Sequence, residues 1–167
     1  MLVRGEVDAI SGHSLSSLPQ LKALGVKPED VRVFMYKDYS TDFYGNGVAV
    51  APAFLKEHPD AVKGFIRATI KGAREMVMRP EKAVAAVLKF EPLLKKDIEE
   101  YRLMLGNECC VLTPNVKKDG FGGVDMARLQ RSIDQVALAR GLTRKPTPAD
   151  MFDAGFLPPK DQRYIDR

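Results

Sequence analysis

Hydrophobic residues along this chain repeat with two different periods. Near the start they alternate. Glu6-Val-Asp-Ala-Ile10 reads as a short strand, and Asp30 to Tyr36 as a second, with Val31, Val33 and Met35 on one face and Arg32, Phe34 and Tyr36 on the other. Between them Leu15, Leu18, Leu21 and Leu24 recur at three, which predicts a short helix capped by Ser14 or Ser17 and stopped by Gly25. Pro19 fits best in a first turn and so favours the later cap. Gly47 to Ala51 reads as one more strand, closed by Pro52. The order strand, helix, strand predicts an α/β class.

From His58 onward the period is helical. His58-Pro59-Asp60 opens a long helix whose apolar stripe is Val62, Phe65, Ile66, Thr69, Ile70, Ala73 and Val77, with Lys63, Arg67, Lys71 and Arg74 opposite. Pro80 opens a second helix, with Ala83, Val84, Val87 and Leu88 inward and Pro92 as its stop. A third runs from about Leu93 to Leu105 and ends at Gly106 or Asn107. Thr113 to Gly123 is a glycine-rich loop without the spacing of a phosphate-binding loop. A fourth helix begins near Val124 or Asp125 and buries Leu129, Ile133, Val136 and Ala137 before Gly141. Thr147 to Asp150 is a capping-box variant, Phe152, Phe156 and Leu157 dock the tail, and Pro158 and Pro159 end the ordered part.

Composition narrows the function classes. Of 167 residues 45% are hydrophobic and 29% charged, the balance of a soluble globular protein, and the net charge of +4 is spread along the length. Nucleic-acid binding needs basic groups gathered on one face, so no nucleic-acid partner is expected. No apolar run reaches the length of a membrane span, and no signal peptide is visible at the start. Cys109 and Cys110 are adjacent, too close for a relaxed disulfide, and neither histidine stands at ligand spacing from them. They are expected to be ordinary packed thiols, with no metal and no cofactor, a reactive or metal-binding pair being the alternative. HExxH, GxSxG and DxDxDG are all absent, which leaves no catalytic residues to name.

Two stretches carry candidate binding chemistry. Ser11, Gly12, His13 and Ser14 follow the first predicted strand, where a glycine admits close approach and a following helix offers N–H groups. The alternative is a plain turn with a serine cap. Tyr36, Tyr39, Phe43 and Tyr44 fall within nine residues, interleaved with Asp38, Asp42 and Asn46. Aromatic faces with a few polar groups suit a small-molecule cleft, and a surface loop with inward aromatics is the other reading.

The order of these parts resembles a known family. Gly5-Glu-Val-Asp-Ala-Ile-Ser-Gly12, Asp30 to Phe34, Tyr44-Gly-Asn-Gly-Val48 and Phe54 to Pro59 resemble the substrate-binding proteins of ABC importers in the nitrate, sulfonate and taurine group (SsuA/THI5-like, NMT1). Met78 to Lys82, Gly120 to Asp125 and Asp153 to Pro158 add to the resemblance. It implies an α/β, periplasmic-binding-protein-like (type II) fragment, a strand-helix-strand segment followed by a mainly helical C-terminal half. Residues 1–38 would end a second lobe, 39–46 cross a hinge and 47–167 return into a first lobe. The function implied is binding of a small polar or heterocyclic solute through Ser11, Gly12, His13, Ser14, Tyr39, Asp42, Tyr44 and Asn46. An ABC permease would be the partner of the full-length protein, and the location periplasmic or lipid-anchored extracellular. A truncated sheet would also favour self-association. The alternatives are an enzyme resembling thiamine-pyrimidine synthases, whose CCCFC motif is not matched by Glu108-Cys-Cys-Val111, or a fragment that binds nothing.

Overall fold

The computed structural model describes residues 1–39 and 43–165. Among these residues eight α-helices follow in order: α1 Ser14–Ala23, α2 Pro52–Glu57, α3 Pro59–Met78, α4 Pro80–Phe90, α5 Lys96–Gly106, α6 Pro114–Asp119, α7 Met126–Arg140 and α8 Pro148–Met151. Short 3-10 turns lie between several of them, and a π-helical turn, Asn107–Val111, follows α5.

Among the described residues there is no β-strand, which corrects the α/β, type II periplasmic-binding-protein-like expectation. Glu6 to Ile10 and Gly47 to Ala51 form no ladder. The Asp30 to Tyr36 stretch holds extended backbone, with φ −104 and ψ 118 at Val31 and φ −84 and ψ 128 at Met35, flanked by 3-10 turns at Pro28–Asp30 and Tyr36–Asp38. Alternation states which side chains share a face. It does not supply the second strand that an extended segment must hydrogen-bond to.

The chain forms two compact units. One comprises Met1–Val33 and Ala73–Thr113, so it holds α1, α4, α5 and the π turn. In it α5 packs on both α1 and α4. Leu21, Ala73, Val84, Ile98 and Val111 are its buried apolar residues, Val84 at 2% exposure. Glu99 is buried among them at 7% exposure. Arg102, one turn on, meets it with a two-pronged bridge, Nε to Oε2 at 3.0 Å and Nη2 to Oε1 at 3.2 Å. The third guanidinium nitrogen, Nη1, donates to the Leu15 carbonyl of α1. Lys22 adds a second tie, donating to the Asp97 carbonyl at 3.1 Å with its ammonium 5.0 Å from the Tyr101 ring centre.

α1 ends as a Schellman motif. Val26 N–H donates to the Leu21 carbonyl and Gly25 N–H to that of Lys22, at 3.0 and 2.9 Å, with Gly25 at φ +85. Gly25 thus stops the helix as expected. The start differs: neither Ser14 nor Ser17 is the cap. His13 is, and Pro19 lies inside the helix, buried.

The other unit comprises Phe34–Gly72 and Pro114–Ile165. Val62, Ile70, Ile133 and Ile165 are its buried apolar residues. The α3 stripe is narrower than its sequence suggests, since Phe65 is 59% exposed while Val62 and Ile70, two turns apart, are buried. Val136 of α7 and Val87 of α4 are likewise exposed. α7 packs on α8, whose Thr147 and Asp150 complete the expected capping box. The Thr147 amide and then its hydroxyl, each donating to Asp150 Oδ2 at 2.8 Å, hold the Asp150 carboxyl below its ordinary pKa.

Two corrections concern the tail and its loop. Thr113 to Gly123 is not a loop throughout, because Pro114–Asp119 is helical. Order continues past Pro159: Lys160–Arg163 forms a turn, Phe121 N–H donates to the Arg163 carbonyl at 2.8 Å, and Ile165 is 1% exposed. Gly120 sits beneath that turn at φ +76, where an added Cβ would lie 2.9 Å from the Arg163 Cβ.

The Arg102 tie sets the first prediction. Arg102→Ala leaves Glu99 buried without its partner and the Leu15 carbonyl without its donor, a loss of about 2 kcal/mol for a pair that is partly open to solvent. Amide exchange in α1 and α5 then runs roughly thirtyfold faster, read by hydrogen-exchange mass spectrometry. Unchanged exchange in α1 would show that apolar packing alone holds it on α5.

Candidate functional site

The Ser11 to Ser14 segment belongs to the first unit. His13 has extended backbone, φ −82 and ψ 127, and its Nδ1 accepts from the Leu15 amide at 3.3 Å. Its carbonyl accepts from the Ser16 and Ser17 amides, both at 2.9 Å. Three N–H groups at the start of α1 are therefore spent on His13 itself. With Nδ1 accepting, the neutral ring carries its proton on Nε2, which leaves one outward donor on an exposed side chain. Gly12 has a local reason to be small, since a Cβ there would fall 2.3 Å from the Ser17 hydroxyl. Ser11 is exposed and Ser14 half-buried at the first helical position.

The second segment belongs to the other unit. Tyr39 is 69% exposed, its ring 6.2 Å from that of Phe34, and Asn46 is exposed. Asp42 lies outside the described residues. Tyr44 is half-buried and engaged with the start of α7, 81 residues on. Its hydroxyl accepts from the Asp125 amide at 2.8 Å and lies 3.5 Å from the Asp125 carbonyl oxygen. Arg128 stacks its guanidinium 4.0 Å from the Tyr44 ring centre and donates to the Phe43 carbonyl at 2.8 Å. Asp125 caps α7, its Oδ1 accepting from the Arg128 amide at 2.9 Å. One phenol, one guanidinium and one cap thus fix residues 43 and 44 on the first turn of α7.

Sequence reading placed Asp125 near the start of that helix but missed Arg128 as a partner of Tyr44. The signal available was the aspartate three residues before an arginine at a helix start; nothing local pointed to residue 44.

The Asp125 carboxyl is held below its ordinary pKa by the Arg128 amide first, then by the Ala127 amide and the charges of Arg131 and Lys118, against some desolvation. A depressed carboxylate contributes stability above its unfolded value of about 3.9, and that contribution disappears as pH falls through the lower folded value. The Arg128 amide resonance should therefore keep its capped chemical shift to a lower pH than the ordinary aspartate value allows and move only in stronger acid. Asp125→Asn should abolish the movement. Separately, Tyr44→Phe removes the acceptor of the Asp125 amide while keeping the ring under Arg128, for a cost of about 1 kcal/mol. Tyr44→Ala should cost more, measured by exchange at the α7 N-terminus.

Two grooves open in the first unit. One, of about 470 Å³, is lined by Pro80, Val84, Leu103, Met104 and Asn107 together with Glu81, Glu100 and Glu108. The other, of about 440 Å³, lies against Leu2, Ile10, Ser17, Leu21 and Leu24. None of the sequence-predicted ligand residues lines either. Among the described residues no three His, Cys, Asp or Glu side chains are gathered as a metal site, and no helix is long and apolar enough to cross a membrane.

Cys109 and Cys110 differ from the packed thiols expected of them. Both are exposed, and their Sγ atoms are 2.8 Å apart.

Comparison with known proteins places the N-terminal part. The chain is 28% identical over 91 residues to the riboflavin-binding protein RibY of Chloroflexus aurantiacus, covering 54% of this chain and 25% of the relative. The match thus spans about a quarter of that relative's length. No solved structure matches. Residues 1–83 match the family described as NMT1/THI5 like, a span that includes Gly5 to Gly12, Tyr44 to Val48, Phe54 to Pro59 and Met78 to Lys82, though not the later segments Gly120 to Asp125 and Asp153 to Pro158. That match over residues 1–83, together with the distant relative, supports the SsuA/NMT1 substrate-binding family.

Proposed function

We propose that this chain contributes to a solute-binding protein, the binding component of an ABC importer working with a permease outside the cytoplasm, and that it does not catalyse a reaction. The carrying observation is the NMT1/THI5 like match over residues 1–83, supported by a relative that is named as a binding protein. The residues proposed to meet solute are Ser11, Gly12, His13 and Ser14 in one segment and Tyr39, Asp42, Tyr44 and Asn46 in the other.

The chemistry of each described side chain assigns it a task. His13 offers its Nε2–H, and Ser11 and Ser14 their hydroxyls, to acceptor atoms of the solute. Tyr39 offers an exposed aromatic face, which suits a planar heterocycle. Tyr44 differs in kind. Its hydroxyl and one ring face are engaged by Asp125 and Arg128, so besides its free face it contributes by fixing its segment, and a substitution there changes binding through position as well as lost contact.

A flavin is the first solute to test, because the relative is named for riboflavin and a flavin is planar, heterocyclic and rich in acceptors. Riboflavin titration should quench flavin fluorescence saturably, with nitrate, taurine and an aminopyrimidine as comparators. Affinity should be weak, on the order of millimolar, since a chain whose match covers a quarter of that relative supplies part of an enclosure. Tyr39→Ala should weaken binding by about tenfold, the value of roughly one stacked ring. His13→Ala should weaken it comparably. Binding that neither substitution changes would remove these residues from the site, and turnover of any of these solutes would replace the binding reading with an enzymatic one.

A further inference from the structure

The vicinal cysteines stand on the π-helical turn Asn107–Val111, closed by the Leu112 amide donating to the Asn107 carbonyl at 2.7 Å. In an α-helix neighbouring side chains diverge strongly, so residues i and i+1 do not face each other. A π turn has more residues per turn, and successive side chains diverge less. On this turn the Sγ atoms of Cys109 and Cys110 lie 2.8 Å apart while both side chains stay open to solvent.

Two thiols so placed have a choice between bonding to each other and sharing a third atom. Direct bonding is disfavoured by the backbone, since adjacent Cα atoms are ~3.8 Å apart and disulfides span ~4.4–6.8 Å. A single atom inserted between the sulfurs removes that demand. The Cys110 thiol is pushed up to about 11, by partial burial first, then by the hydrogen bond with Cys109 and its charge, so Cys110 keeps its proton near neutral pH. An acceptor that itself carries the displaced protons away suits such a pair better than a bare cation.

We propose that Cys109 and Cys110 form a dithiol clip that captures one soft, thiophilic centre of the trivalent arsenic class through both sulfurs. With an organic arsenoxide the step balances without redox change: two S–H bonds and the As=O bond break, two As–S bonds form, and both protons leave with the oxygen as water. The product is a ring closed through the Cys109–Cys110 peptide. The clip lies outside the residues assigned to solute binding and does not depend on them.

The experiment uses the reduced full chain and phenylarsine oxide, with free thiols counted by a colorimetric disulfide reagent and the adduct weighed by intact mass spectrometry. The chain has two cysteines, so one equivalent should remove both thiols and add one phenylarsenic unit per monomer. A dithiol such as 2,3-dimercaptopropanol should reverse it, while a monothiol in excess should not. Cys109→Ser and Cys110→Ser each leave one anchor and should bind about 100-fold more weakly, because the second bond of a chelate forms at high effective concentration. Circular dichroism of both variants establishes that they are folded. Two arsenic units per chain, equal release by monothiol in wild type and variants, arsenic bridging two chains, or loss of two hydrogens through a Cys109–Cys110 disulfide in place of the adduct would each overturn the proposal.

Discussion

Every backbone N–H and C=O that leaves water needs a partner, and this chain meets that demand almost wholly within short spans. A helix closes its bonds over four residues, whereas an extended segment must find another segment to pair with. Asp30 to Tyr36 has strand-like dihedrals at Val31 and Met35 and a strand-like alternation, yet it runs between two 3-10 turns without joining a ladder. The architecture follows from that asymmetry. Beside the apolar packing, tertiary order is directed by side chains that reach from one helix to the backbone of another segment, as Arg102 does to Leu15 and Arg128 does to Phe43.

Both arginines work by the same physics. A planar guanidinium has donors enough to answer a carboxylate or an aromatic face and still bond a carbonyl. Arg102 uses this beneath the surface, where Glu99 would otherwise be a buried charge without compensation. Arg128 uses it in a more open setting, where stacking on Tyr44 adds modestly and the Phe43 carbonyl supplies direction. Lysine could provide the charge in either place but not the fork.

Elements with local causes were legible in the sequence. Gly25 after α1, Pro80 at the first position of α4, Asp125 before α7 and the Thr147 to Asp150 box each act within four residues of themselves, and each stands where reading the chain puts it. The sequence offers His13 as a ligand residue and does not disclose its role as a cap, because histidine is a rare cap beside serine. α2 and α6 were missed because each is a single six-residue turn and a half begun by proline, with too few apolar positions to show a period. Strand pairing, the Tyr44 to Asp125 bond and the contact of Arg163 with Phe121 join residues far apart in the chain, and no window along it contains both partners. The candidate site was legible as residue types; what each type is already bonded to was not.

The glycines at 120 and 141 look alike in the sequence, each following a basic, helical run, and each adopts a left-handed φ. Their surroundings part them. A side chain at 141 would point into open space, so only the backbone conformation restrains that position, and asparagine meets it at little cost. At 120 the Cβ of Arg163 and the Lys160 carbonyl stand 2.9 and 3.4 Å from where a side chain would begin. As related chains drift, position 141 is therefore free to trade glycine for asparagine, while position 120 can change only in lineages that also rebuild the 160–163 turn. An alignment of relatives reaching this far would carry the imprint of that turn in a single invariant column.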